Sequence, residues 1–233
     1  PSRQRHTHGC WDGGNQHSLR TAALHSRSTG AMATATAAKT TISLKGSVEI
    51  VSEFFGYSIN SILYQRGIYP PETFKRVNKY GLAMLITSDD GLQTYLNSVL
   101  AQLTDWLTHG TVQKLVVVIA GQDSGETLER WVFDVQTDQN VGPEGKVEKA
   151  EKEIMSEIQA IIRQITASVT FLPLLDEPCT FDLLVYTDND VQVPKAWEES
   201  DPKYIANSDE VRLRSFTTKV HRVDASVTYR ADM

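Results

Sequence analysis

Apolar residues at 44, 48, 51, 55, 59 and 62 fall on one face of a helix over residues 44–66. Ile50 and Phe54 widen that face, so the helix is expected to be central and mostly buried. Gly67 ends it, and Ile68-Tyr69-Pro70-Pro71 is extended. A short helix starting at Pro71 is expected over residues 71–79. Residues 80–86 then read as a short strand or an irregular apolar segment. Asp89 or Asp90 can cap a second helix over 91–107, with Leu92, Leu96, Val99, Leu100, Leu103 and Leu107 on its stripe.

The period then changes. QKLVVVIA (113–120) is a continuous β-branched run that fits a central strand. GQDSGE (121–126) is a turn. Residues 127–136 alternate, with Leu128, Arg130, Val132 and Asp134 on one parity and Trp131, Phe133 and Val135 on the other. The two runs predict an antiparallel hairpin. A loop at 140–145 leads to a third helix over 147–170, with Ile154, Ile158, Ile161, Ile165 and Val169 inward and Arg163 pointing away. Residues 179–187 (CTFDLLVYT) form another apolar strand. After Asp188 the chain is extended, interrupted by Pro194 and Pro202, and strand-like again over 211–229. Helices and strands are segregated, which predicts an α+β fold with an antiparallel sheet.

Residues 1–31 differ in kind. They are polar, rich in Ser, Arg and His, and without apolar period, so disorder is expected. Their charge is net +3, from Arg3, Arg5, Arg20 and Arg27 against Asp12. The whole chain carries −6, so the remainder carries −9. An acidic body argues against nucleic acid as a partner. The leader has the composition of an organelle transit peptide. However, Met32 opens a stretch (MATATAAKT) that reads as an ordinary start, so 1–31 is expected to be upstream sequence outside the working domain, 32–233. His6, His8, His17 and His25 are too irregularly spaced to make a metal site the favoured reading. Cys10 and Cys179 form no disulfide framework, no CxxC pair suggests zinc, and no apolar run is long enough for a membrane span.

Several fragments imitate active sites. GQDSG (121–125) places its serine one position off the hydrolase elbow and joins two strands, so a hairpin turn is the better reading. Asp188, Asn189, Asp190 and Glu199 imitate a calcium loop, but Val193 stands where glycine is required and no helices flank it. His109 and His221 belong to no base-and-nucleophile pattern. No phosphate-cradling loop occurs. Glu148, Glu151, Glu153 and Glu157 read as the solvated side of the third helix. No catalytic residue, cofactor or metal is expected.

The stretches GSVEIVSEFFGYSINSILYQRGIYP (46–70), VQKLVVVI (112–119), GETLERWVFD (125–134), IIRQITASVTFLPLL (161–175), FDLLVYTD (181–188), VPKAWEESDP (193–202) and EVRLRSFTTKVH (210–221) closely resemble the spindle-checkpoint branch of the HORMA-domain family, in order and nearly throughout 44–230. The resemblance implies three helices packed on an antiparallel sheet, with a mobile C-terminal β segment, the safety belt. In the open form that segment covers the edge that receives a ligand. In the closed form it moves across the sheet and wraps the bound peptide. The ligands implied are short motifs of the anaphase-promoting-complex activator and of a kinetochore coiled-coil receptor. Capture of the activator delays anaphase.

Carried onto this sequence, the receiving edge is Phe181, Asp182, Leu183, Leu184, Val185, Tyr186 and Thr187. An extended peptide adding there gains main-chain hydrogen bonds. The belt includes Trp197, Val211, Leu213, Phe216, Val220 and Tyr229. Arg163 and Gln164 match the key pair of an open–closed dimer interface, with Phe171 on the same surface. A checkpoint-silencing HORMA protein and a remodelling ATPase are implied as further partners, the ATPase pulling on the segment around 32–45. The implied location is nucleus and cytoplasm, with kinetochores in mitosis. The chain stops soon after Tyr229, slightly short of the family's pattern, which would bear first on closure. The competing readings are a HORMA adaptor of a translesion DNA polymerase, a chromosome-axis protein, which would need a C-terminal closure motif, and an enzyme.

Overall fold

The computed structural model describes residues 2–6, 39–138, 140–141, 146–189 and 191–231. Among these, seven strands form one antiparallel sheet. They are β1 (Ser2–His6), β5 (Val112–Gly121), β6 (Thr127–Thr137), β8 (Cys179–Thr187), β9 (Glu198–Glu199), β10 (Ser208–Thr217) and β11 (His221–Arg230). Their spatial order is β10-β11-β6-β5-β8-β1-β9. Two small antiparallel pairs complete the strands: the long-range pair β2 (Lys39–Ser43) with β7 (Lys146–Ala150), and the hairpin β3 (Phe74–Lys79) with β4 (Leu82–Thr87). Three helices, α1 (Leu44–Gln65), α2 (Asp90–Thr108) and α3 (Glu151–Ala167), cover one face of the sheet.

Alternation in the strands sorts the two faces. Leu115, Val117 and Ile119 point with Trp131, Phe133, Leu183 and Val185 into the core beneath the helices. Val116, Val118, Val132, Leu184 and Tyr186 form a second apolar patch on the opposite face. Helix α1 is central: Phe54 and Phe55 each meet the Phe133 ring with centroids 5.7 Å apart. Its start is capped by Ser43, whose Oγ accepts from the Gly46 N–H at 3.2 Å. Asp89 caps α2 in the same way, accepting from the Leu92 N–H at 2.7 Å.

The end of α1 is tied to the sheet by a buried ion pair. Arg66 Nε donates to Glu129 Oε1 at 2.7 Å, and Trp131 Nε1 donates to Glu129 Oε2 at 3.0 Å. Arg66 also donates to the Pro173 carbonyl at 2.5 Å. Burial pushes the Glu129 carboxyl up, and the Arg66 guanidinium pulls part of that shift back.

Three expectations are corrected. Residues 71–79 form a 3-10 turn (Pro71–Thr73) and then strand β3, because Tyr80 and Gly81 both take positive φ (51° and 68°) and fold the chain back onto β4. Residues 146–150 pair with β2, so α3 starts only at Glu151 and Glu148 lies on a strand. The last turn of α3 tightens into a 3-10 turn (Ser168–Thr170), which carries Val169 out to 43% exposure. Within the leader, the expectation of disorder does not describe Ser2–His6, which form a sheet strand; residues 7–38 lie outside the described residues.

Candidate functional site

Strand β8 is shared between two neighbours. One side pairs with β5, from Thr187 opposite Val112 to Cys179 opposite Gly121. The other side pairs with β1 in an antiparallel register: Ser2 with Thr187, Arg3 with Tyr186, Gln4 with Val185, Arg5 with Leu184 and His6 with Leu183. Phe181 and Asp182 lie beyond that overlap. The side chains of β8 are spent on the two apolar faces, so a strand on this edge is held by its main chain.

Residues 188–207 leave β8 and cross to the start of β10. Their origin is pinned: the Asp188 N–H donates to the Thr111 carbonyl at 3.1 Å, and Gln113 Nε2 donates to Asp188 Oδ1 at 2.7 Å. Trp197 is buried on the helical side, its ring meeting Trp106 of α2 at 5.0 Å. Glu198 and Glu199 then pair with the outer side of β1, opposite Arg5 and Gln4. Further on, the Arg130 guanidinium lies 5.0 Å from the Tyr204 ring centre. Arg130 shares the parity of Val132, on the face away from the helices. The segment therefore runs from the helical face, round the outer edge of β1, to the opposite face. Lys203 and Asn207 take left-handed φ (52° and 51°), which turns the chain into β10.

The C-terminal hairpin sits on the far edge, with β11 paired to β6 from His221 opposite Thr137 to Tyr229 opposite Glu129. Helix α3 and its leading strand hold β10 there. Glu157 Oε2 accepts from the Thr217 N–H at 3.0 Å, and buried Lys149 donates to the Thr217 carbonyl at 2.8 Å and to Glu157 Oε1 at 2.7 Å. Glu157 is therefore not simply part of a solvated stripe. Gln164 Oε1 accepts from the Arg214 N–H at 2.7 Å. Phe216 packs its ring 4.8 Å from Phe54, and Val220 is buried. Val211, Leu213 and Tyr229 are half-buried against the core.

The turn of the hairpin is tied to the start of α1. Ser47 Oγ is hydrogen-bonded to Thr218 Oγ1 at 2.6 Å and to His221 Nδ1 at 2.7 Å. Burial pushes the His221 imidazole down to about 4, the Leu107 carbonyl offsetting part of that shift. The C-terminal hairpin thus lies on the β6 side of the sheet, an extended strand lies on β8, and residues 188–207 cross outside that strand.

Arg163 is exposed on α3, and Phe171 (43% exposed) and Leu174 (82%) follow the helix. The serine of GQDSG has its hydroxyl turned to Glu177 Oε1 at 2.7 Å, in a hairpin turn between β5 and β6. That hydroxyl and the Ser124 and Asp123 N–H groups hold the Glu177 carboxyl below its ordinary range. Asp190 and Cys10, and the side chains of the leader histidines, lie outside the described residues. Among the described residues no group of three or more His, Cys, Asp or Glu can hold a metal ion, and no helix is long and apolar enough to cross a membrane.

Two features escaped the sequence. The leader strand has no periodic signal, since β1 contributes main-chain pairing to an edge. The Lys149–Glu157–Thr217 knot joins residues 68 positions apart, and only the path of β10 brings them together.

The sequence pattern of the HORMA domain matches residues 47–221. The chain is 64% identical over 199 residues to the mitotic spindle assembly checkpoint protein MAD2A of Dictyostelium discoideum, covering 85% of this chain and 98% of that protein. It is 60% identical over 190 residues to the protein of the same name from Homo sapiens, covering 81% and 93%. In solved structures it is similar to a chain in the crystal structure of the mitotic checkpoint complex, at 48% identity and a TM-score of 0.73, covering 80% of this chain and 99% of that one. The DNA polymerase zeta processivity subunit of Schizosaccharomyces pombe is more distant, 28% identical over 191 residues, covering 78% and 89%.

Proposed function

Since the chain belongs to the HORMA domain family, in its mitotic spindle checkpoint branch, we propose that it is a spindle assembly checkpoint adaptor that clasps a short extended peptide on β8 beneath the strap 188–207. The proposed ligands are motifs of the anaphase-promoting-complex activator and of a kinetochore coiled-coil receptor, and capture of the activator delays anaphase. The observation that carries this reading is the β8 edge with a strand laid along it and the strap running round that strand. Strand addition supplies on the order of 1 kcal/mol per main-chain hydrogen bond, and enclosure slows escape rather than speeding arrival.

The adaptor acts by binding, without turnover. Its switch is the C-terminal hairpin, which leaves β8 accessible only when it lies on the β6 edge. Arg163, Gln164 and Phe171 form the surface for an open–closed dimer, and a checkpoint-silencing HORMA protein and a remodelling ATPase reverse closure. The place of action is nucleus and cytoplasm, with kinetochores in mitosis. The translesion-polymerase reading is not favoured, at 28% identity against 64% for the checkpoint relative.

The test is a titration with a labelled synthetic peptide carrying the activator's motif. Saturable one-to-one binding is expected, with the peptide's amides protected from exchange once bound. Saturation by a peptide of a translesion polymerase, and none by the activator peptide, would reassign the chain.

A further inference from the structure

The strand on β8 belongs to this chain. Ser2–His6 pair with β8 at five consecutive positions, and β9 of the strap pairs with β1. The strap's strand contact with the sheet thus runs through the leader. Charge favours the match, since residues 1–31 are net +3. Within the strap, Asp188, Asp190, Glu198, Glu199 and Asp201 outnumber Lys195 and Lys203. Length permits it as well. The 32 residues from 7 to 38 can reach on the order of 100 Å, against about 40 Å for the width of a domain of this size.

We propose that residues 2–6 are a built-in ligand: they occupy the receiving edge in cis, close the strap over themselves, and yield to an external peptide only by displacement. The inference rests on β8 being the edge that receives peptides. A tethered strand competes at an effective concentration in the millimolar range, so it lowers the apparent affinity of any peptide by the fraction of time the edge is free. The full chain is then closed without a partner, and external peptides act by exchange.

The experiment compares the full chain with its Gln4→Pro/Arg5→Pro variant. Adjacent prolines remove N–H donors toward both neighbours of β1 and leave the body of the domain untouched. Without added peptide, amide exchange at 183–187 is expected to be at least about tenfold faster in the variant, while 116–119 stay protected as the control for folding. The activator peptide is expected to bind the variant at least about tenfold more tightly. Equal exchange at 183–187 in the two proteins overturns the built-in ligand and leaves the adaptor reading intact. Absence of activator binding by both proteins, with exchange at 183–187 faster in the variant, overturns the adaptor reading instead. If 116–119 lose protection, Gln4→Pro alone takes the variant's place.

Discussion

Trp197 meets Trp106 edge to face, with ring centroids 5.0 Å apart and planes at 64°. This pair fastens the strap to a helix rather than to the sheet. The strap can therefore be loosened at this point while the pairing of β5 with β6 and β8 stays intact. Replacing Trp197 by Ala removes a buried aromatic contact worth about 3 kcal/mol or more. The activator peptide is expected to leave about a hundredfold faster, with exchange at 116–119 unchanged. Unchanged dissociation in a stopped-flow chase would show that the strap does not govern release.

Lys149 and Glu157 hold the far end of β10, and both contact the backbone of Thr217. Lys149 is buried, so Glu157→Gln leaves it only the exposed Glu153, 3.6 Å away, as a charge partner, at a cost of about 2 kcal/mol. That cost falls on the arrangement with β10 beside α3. Urea unfolding is expected to show it, together with a larger share of a second conformer on ion-exchange chromatography. A variant with the wild-type urea midpoint would remove this knot from the account of closure.

His221 sets a pH dependence. Its value of about 4 in the fold lies below the ordinary 6.5 of an unfolded histidine. Above pH 6.5 both states are neutral there and stability does not change. As pH falls from 6.5 toward 4, the unfolded chain takes up a proton that the fold refuses, so stability falls. The loss is roughly 2–3 kcal/mol at pH 4.5. Urea midpoints at pH 7 and pH 4.5 should differ by that much more in the unmodified chain than in His221→Asn. Identical pH slopes would count against the buried neutral imidazole.

Arg163 is exposed on α3, and Phe171 and Leu174 are exposed in the segment that follows the helix. If this surface joins two copies, Arg163→Glu reverses a charge at its centre and should cost at least about 2 kcal/mol of association. Sedimentation velocity of the Gln4→Pro/Arg5→Pro chain, whose β8 edge is free, is expected to show a concentration-dependent dimer that added Arg163→Glu reduces to a monomer. The stability of the monomer should be unaltered to within about 0.5 kcal/mol, since Arg163 is exposed. A dimer of undiminished affinity would place the interface elsewhere.

Much of the fold was legible because its signals are local. The 3.6-residue period of residues 44–66 gives α1 within one residue of its end, and Asp89 caps α2 as its side chain allows. The β-branched run 113–120 and the alternation after it give the β5–β6 hairpin, and 179–187 is β8 without change of boundary. Misreadings arose where pairing overrode local preference. Residues 74–79 and 146–150 look helical in isolation, yet each lies beside a strand that takes up its main chain.

The sequence by itself determined the class of the fold, the three helices, the central strands and, through long collinear stretches, the family. These depend on periodicity and residue type, which a chain displays before it folds. Only the tertiary structure decided where the C-terminal hairpin lies and what occupies β8. An antiparallel strand can add to either open edge of a sheet by the same main-chain hydrogen bonds, so alternation along 208–230 does not choose between edges. The choice is made by distant contacts: Phe54 with Phe216, Ser47 with His221, and Lys149 with Thr217. The same indifference of main-chain pairing to side-chain identity hid Ser2–His6 in a polar leader, where only the free edge of β8 could give it a place.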